Sequence, residues 1–114
     1  MKSILMIEDE KSLLDIIKVY FQKEGFEVFT ADNGERGLEL FKNEHIDIVL
    51  SDIMMPKMDG FELAKQIRFL SDVPIILLTA LDSEKDQQRG YELNIDEYVT
   101  KPFSPSILVL KVKA

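Results

Sequence analysis

The chain has 114 residues, of which 46% are hydrophobic and 31% are charged, and its formal net charge is −7. A chain of this length forms one domain with a real core, and none of its apolar runs approaches the roughly 20 residues of a membrane span. It has no cysteine for disulfides or thiolate metal sites, and its basic residues are scattered rather than gathered into a nucleic-acid-binding stripe. We therefore expect a cytosolic globular domain that by itself binds neither membranes nor DNA.

The first half of the chain predicts two strands and two helices. Residues 4–7 form a continuous apolar run of the kind that parallel sheets bury on both faces. An amphipathic helix follows, with apolar residues at helical spacing from Leu13 to Phe21 and Gly25 where the helix end needs a left-handed residue. Residues 26–31 predict the second strand, and residues 37–41 lie in a short helix that ends near Asn43.

The second half repeats this alternation. Apolar runs at residues 46–50 and 75–78 predict the third and fourth strands, and a third helix between them carries Leu63, Ile67 and Leu70. Residues 83–93 predict a fourth helix, and residues 98–99 a short fifth strand. Ser104 and Pro105 match the start of a fifth helix, although residues 107–112 also have strand propensity.

Five strands alternating with five helices imply an α/β fold with one parallel sheet covered on both faces. We expect the flavodoxin-like, doubly wound strand order 2-1-3-4-5, in which ligands bind beyond the carboxyl ends of the strands. Polar residues stand at four of these five strand ends: Glu8, Asp9, Asp52, Thr79 and Lys101. The sequence therefore predicts a polar site at this edge of the sheet.

The chemistry of these residues suits a phosphoryl group. With the first and third strands adjacent, Glu8, Asp9 and Asp52 should lie within a few ångströms of one another, and such an all-oxygen cluster suits Mg²⁺. Lys101 and the Thr79 hydroxyl can contact anionic oxygens. An aspartate can act as a nucleophile towards phosphorus, and Asp52 is best placed for that role.

Four motifs in this order and spacing resemble the receiver domains of two-component response regulators, most of all those joined to winged-helix DNA-binding domains. The motifs are residues 7–10 (IEDE), 51–60 (SDIMMPKMDG), 78–80 (LTA) and 98–103 (YVTKPF). The resemblance implies that a histidine kinase phosphorylates Asp52 and that Lys101 contacts the phosphate. It also implies that Mg²⁺ is bound by Glu8, Asp9, Asp52 and the backbone carbonyl of Met54.

The same resemblance implies a switch and a phosphorylation-promoted homodimer. Thr79 and Tyr98 would move together and reshape the face formed by the fourth helix, the fifth strand and the fifth helix. Charged residues of that face would pair across a two-fold axis: Arg89, Glu92, Asp96, Glu97 and Lys111. Two departures from the family pattern, Asn94-Ile95 and Ser106-Ile107, leave this face more apolar than expected.

We expect residues 1–114 to be a receiver domain at the N-terminal end of a longer regulator, ending within the fifth helix and reaching DNA only through an output domain. It should catalyse nothing beyond its own phosphorylation and dephosphorylation. By resemblance, the apolar Met54 and Leu81 flank the route of the hydrolytic water, which predicts a long-lived phosphoryl group. Two alternatives stay open: a stand-alone receiver that docks to other proteins, and a Mg²⁺-dependent phosphatase, which the lack of a long lid insertion disfavours.

Overall fold

A computed structural model describes residues 2–55, 57–79, 95–100 and 103–113. Within these residues the strands are β1 (Ser3–Ile7), β2 (Glu27–Ala31), β3 (Ile48–Asp52), β4 (Ile75–Thr79) and β5 (Glu97–Thr100). The helices are α1 (Lys11–Lys23), α2 (Gly34–Asn43), α3 (Gly60–Arg68) and the C-terminal helix (Pro105–Lys113). The helix predicted at 83–93 lies outside the described residues.

The strands form one parallel sheet in the order β2-β1-β3-β4-β5. This confirms the flavodoxin-like α/β fold and the strand order that the sequence predicted. The register sets Ile7 of β1 opposite both Ala31 of β2 and Ser51 of β3. The carboxyl ends of the central strands are therefore level with one another, so the residues that follow them meet at one edge.

The central strands divide the core into two layers. Alternate residues of β1 point to opposite faces, and Leu5 and Ile7 pack in one cluster while Ile4 and Met6 pack in the other. The first cluster includes apolar residues of α3, and the second includes those of α1 and the C-terminal helix. Every residue of β1 is buried, which explains why its sequence is a continuous run rather than an alternation.

The helix ends follow local side-chain chemistry. Asn33 caps α2 by accepting a hydrogen bond from the Arg36 N–H, so this helix starts a turn before the predicted segment. Gly25 ends α1 with a φ of 89°, the left-handed conformation that was predicted. Placing Leu70 in the third helix was wrong: α3 ends at Arg68, and Leu70 lies in the following turn with 55% of its surface exposed.

The C-terminal segment folds as a helix despite its strand propensity. Ser104 and Pro105 stand at its start, and its buried residues Leu108 and Val109 complete the second core layer. Across the described residues, each helix falls short of the length and apolar character needed to cross a membrane.

Candidate functional site

The carboxyl ends of β1 and β3 bring together the three predicted acidic residues. One carboxylate oxygen from each of Glu8, Asp9 and Asp52 lies within 4.8 Å of the other two. Glu8 and Asp52 are buried, whereas Asp9 is exposed. Asp52 was expected just after its strand, but it is the last residue of β3 and pairs with Leu78 of β4. The sheet therefore determines its backbone position.

Local hydrogen bonds orient the two buried carboxylates. Oε2 of Glu8 accepts a bond of 3.1 Å from the Glu10 N–H, at the start of α1. Oδ1 of Asp52 accepts a bond of 2.8 Å from the Ile53 N–H. Bonds from backbone donors to a carboxylate are charge-assisted, and each restricts the rotation of its acid. Backbone donors therefore restrict the orientation of both carboxylates at the edge of the sheet.

The donor set fits a small, hard divalent cation. Mg²⁺ prefers oxygen ligands at about 2.1 Å, so two ligands of one ion lie at most about 4.2 Å apart. The 4.8 Å spread of the three carboxylate oxygens is only slightly larger. A small rotation of the exposed Asp9, or a bridging water, would close that difference. These residues therefore fit Mg²⁺, which commonly keeps several waters, better than a metal that requires nitrogen or sulfur ligands.

A cleft opens beside the acidic cluster between α1, β2 and α2. It is lined by Glu8 and Asp9 together with charged and polar residues such as Lys11, Thr30 and Asp32. Asp9 stands at this opening, on the exposed side of the cluster. Two of the three acidic residues, Glu8 and Asp9, therefore line an opening at the surface of the domain.

Two further predicted site residues lie on β4 and β5. Thr79 ends β4 next to Leu78, the residue paired with Asp52, and it is 3% exposed. Tyr98 of β5 is half-buried and packs against the core cluster that contains Leu77. The structure therefore places Thr79 on the acidic edge and Tyr98 further back in the sheet. Lys101 lies outside the described residues.

Met54, the predicted carbonyl ligand, lies two residues beyond Asp52 in the loop between β3 and α3. Its side chain is 63% exposed. The role of its carbonyl remains a prediction.

The charged residues expected at a dimer interface already have partners within the chain where the structure describes them. Asp96 Oδ2 accepts bonds from the Ile75 N–H at 2.7 Å and from the Arg68 guanidinium at 3.2 Å. Lys111 pairs with Glu97 at 2.5 Å. A dimer using these charges would have to exchange or share those pairs. Arg89 and Glu92 lie outside the described residues.

Sequence reasoning missed the role of Gly60 beside Asp52. Gly60 begins α3 and donates a hydrogen bond of 2.8 Å from its N–H to the Ile53 carbonyl. A Cβ added at Gly60 would collide with the backbone of Asp52 and Ile53. Only glycine lets α3 start this close to the end of β3, and the Asp59-Gly60 pair after an acidic strand end was the available signal.

The chain belongs to the response regulator receiver domain family, whose model matches residues 4–113. It is 49% identical over 111 residues to the uncharacterised transcriptional regulatory protein YclJ of Bacillus subtilis, a match that covers 97% of this chain and 49% of that protein. The chain thus spans about half the length of this curated relative.

Solved structures agree with the family and the fold. The chemotaxis protein CheY4 of Vibrio cholerae is 31% identical, with a TM-score of 0.94 over 99% of this chain and 97% of that one. The BeF3-activated N-terminal receiver domain of RstA from Klebsiella pneumoniae is 31% identical, with a TM-score of 0.91 over 98% of this chain and 96% of that one. The strand order described above is therefore that of a receiver domain.

Proposed function

We propose that this domain accepts a phosphoryl group from a histidine kinase onto Asp52 in a Mg²⁺-dependent reaction. The observation that carries the proposal is the cluster of Glu8, Asp9 and Asp52 at the carboxyl edge of the sheet. Burying a carboxylate at a strand end costs free energy unless the charge is paired or coordinates a metal, and a conformationally restricted aspartate is suited to nucleophilic attack.

In the proposed reaction a carboxylate oxygen of Asp52 attacks phosphorus, and the bond from phosphorus to the histidine nitrogen of the donor breaks. The Ile53 N–H holds Oδ1 of Asp52 and so limits rotation of the carboxylate during attack. Glu8 and Asp9, with Asp52 and the Met54 carbonyl, would hold Mg²⁺. When bound, that ion would neutralise charge on the transferring group. Lys101 would contact the phosphate.

The signal would then pass through Thr79 and Tyr98. A phosphoryl group on Asp52 adds charge and acceptor oxygens, towards which the Thr79 hydroxyl can turn. Thr79 is buried on the same edge, and Tyr98 packs against the core cluster that contains Leu77. In this proposal, a shift of Thr79 would change the space available to Tyr98. Phosphorylation would shift the population between two arrangements of the face near β5 and the C-terminal helix.

The output of the whole protein belongs to the same proposal. YclJ is described as a transcriptional regulatory protein, and the matching region is about half of it. We carry over to this chain a role in transcription control, with DNA bound by a separate domain and with a homodimer formed on phosphorylation. The proposed setting is the cytoplasm. The domain's own chemistry would be limited to gaining and losing its phosphoryl group.

Incubation with acetyl phosphate and Mg²⁺, followed by intact mass spectrometry, tests the acceptor. The wild type should gain one phosphoryl group, and chelation of Mg²⁺ should prevent the gain. Asp52→Asn should abolish it, while Asp72→Asn, a change at an exposed acid in the segment between α3 and β4, should leave it intact. Continued phosphorylation of Asp52→Asn would refute the assignment. Repeated release of inorganic phosphate without a stable phosphorylated species would favour the phosphatase alternative.

A further inference from the structure

The described residues of the loop between β3 and α3, 53–55 and 57–59, contact the start of α2 through Met58. Gly34 is the first residue of α2, and a Cβ added there would lie 2.5 Å from the Met58 carbonyl oxygen and 2.8 Å from the Met58 Cβ. Real Cβ atoms essentially never approach a heavy atom this closely. Any side chain at position 34 would therefore push the loop away from α2.

The conformation of Gly34 does not explain why glycine stands there. Gly25 is the glycine with a positive φ among the described residues, so Gly34 has a backbone that alanine could adopt. Glycine inside a helix is also less favourable than alanine. Close approach to Met58 is the physical reason that remains for a glycine at this position.

Met58 is linked to Asp52 through the two residues that follow it in the chain. Met58 is followed by Asp59, which caps α3 through a 2.8 Å bond from the Glu62 N–H, and then by Gly60, which rests on the backbone of Asp52. A displacement of Met58 would thus reach the phosphoacceptor strand through two residues. Two glycine contacts therefore hold the loop: Gly34 packs on Met58, and Gly60 packs on the backbone of Asp52.

The loop itself needs such support. Lys57 adopts a φ of 70°, a left-handed conformation that non-glycine residues rarely take without stabilising surroundings. Its ammonium lies 4.0 Å from the carboxylate of Glu35, the neighbour of Gly34 in α2. The start of α2 therefore meets the loop both through backbone packing at Met58 and through a weak ion pair at Lys57.

We propose that Gly34 is a positioning residue for the phosphoryl site: by allowing α2 to pack directly on Met58, it holds the loop that follows Asp52 in the geometry needed for metal binding. This proposal rests on the proposed function, because it names the part of the chain that keeps the Asp52 site in place. Gly34 itself touches neither metal nor phosphate.

Amide hydrogen exchange in the metal-free protein tests the proposal without depending on phosphorylation. Gly34→Ala should speed exchange at the Ile53 and Gly60 amides by about tenfold after correction for global stability. Gly37→Ala is the matched control, because the added methyl lies in the same helix but meets only side chains, those of Ile7 and Leu63. Equal effects of the two variants on these amides would overturn the proposal.

Calorimetric titration with Mg²⁺ alone gives the second readout. Gly34→Ala should weaken Mg²⁺ binding by about tenfold, as is typical when the support of a ligand is lost, and Lys42→Ala, at an exposed position near the other end of α2, should change it by less than about twofold. If wild type itself fails to bind Mg²⁺, the proposed function falls, while the exchange comparison still decides the role of Gly34.

A variant on the loop side covers the case in which Gly34→Ala fails to fold. Met58→Ala removes the part of the Met58 side chain beyond its Cβ, which lies against Gly34, and it introduces neither a clash nor the backbone freedom of a glycine. It should also speed exchange at Ile53 and Gly60 and weaken Mg²⁺ binding. If both properties stay at wild-type values in Met58→Ala, the packing of the Met58 side chain on α2 does not hold the loop and the proposal is wrong.

Discussion

The role assigned to Asp52 depends on the residues that surround it in the fold. Taken alone, an aspartate after an apolar run is most often a turn or capping residue. In the folded chain it is 6% exposed at the end of β3, next to the buried Glu8. Convergence with Glu8 and Asp9 was predictable because the strand order could be inferred. The hydrogen bond from the Ile53 N–H that orients the carboxylate could not be predicted from the sequence.

Met54 supports a prediction about the lifetime of the phosphoryl group. Its exposed thioether side chain cannot orient an attacking water as a carboxylate or amide would. Hydrolysis of the phosphorylated domain should therefore be slow, and Met54→Asn should accelerate it. Loss of phosphate followed by intact mass in Mg²⁺ measures both rates. A lifetime of only a few seconds for the wild type would contradict the prediction. Leu81, the second residue in this argument, lies outside the described residues.

Asp47 supports a prediction about acid sensitivity. The Ser3 N–H donates a 2.7 Å hydrogen bond to its carboxylate, and this bond, with a smaller contribution from His45, holds the pKa of Asp47 below its ordinary value against the opposing effect of burial. A lowered folded-state pKa stabilises the fold above the unfolded value of about 4, and that stabilisation is lost as the pH falls through the folded value.

Asp47→Asn should therefore lower the free energy of unfolding at neutral pH and cost progressively less as the pH falls below about 4, the unfolded value. Urea unfolding of wild type and variant across this range measures the difference. A difference that is constant with pH would show that the charge of Asp47 does not contribute to the free energy of unfolding.

At the scale of elements, Arg68 joins α3 to the edge of the sheet. Its guanidinium donates to the carbonyls of Ser71 and Val73 at 3.3 and 2.6 Å and pairs with Asp96, which in turn accepts from the Ile75 N–H. The side chain is only 15% exposed, so these bonds are partly shielded from water. Arg68 thus links three segments: the turn after α3, the residues just before β4 and the residues just before β5.

Arg68→Met should reduce the free energy of unfolding by about 2 kcal/mol, because hydrogen bonds from a charged donor are lost and two partly buried carbonyls lose a partner. Lys65→Met, at an exposed position of the same helix, should change it by less than about 0.5 kcal/mol. Denaturant unfolding with an unchanged m value gives the measurement. Equal losses in the two variants would contradict the role assigned to Arg68.

In the C-terminal helix, local sequence propensity allowed either a helix or a strand, and tertiary packing selected the helix. Residues 107–112 are almost continuously apolar and suit a strand as well as a helix. The helix start at Ser104 and Pro105 favoured a helix, and burial of Leu108 and Val109 against the second core layer stabilises it. Ile107 and Leu110 remain exposed at 54% and 66%. The apolar surface anticipated on this helix is therefore present.

For the molecule as a whole, metal binding should be linked to stability. A ligand that binds only the folded state at ten times its Kd stabilises that state by about 1.4 kcal/mol. For a domain of this size we expect Mg²⁺ to raise Tm by about 5 °C. Glu8→Gln should remove most of this increment, because it takes one carboxylate from the cluster.

Thermal melts with increasing MgCl2, compared with NaCl at equal ionic strength, measure this effect. An equal rise in NaCl would mean that screening of the net charge of −7, rather than a bound cation, accounts for the change.

The sequence by itself determined the fold class, the strand order and the identity of the acidic edge. It could do so because the buried strands are continuous apolar runs, helix caps are local, and parallel strands put their carboxyl ends on one side. Only the tertiary structure showed that Gly34 packs on Met58, that Gly60 lies against Asp52, and that Arg68 and Asp96 pair. Those contacts join residues of separate elements, and their distances depend on how the whole sheet and its helices pack.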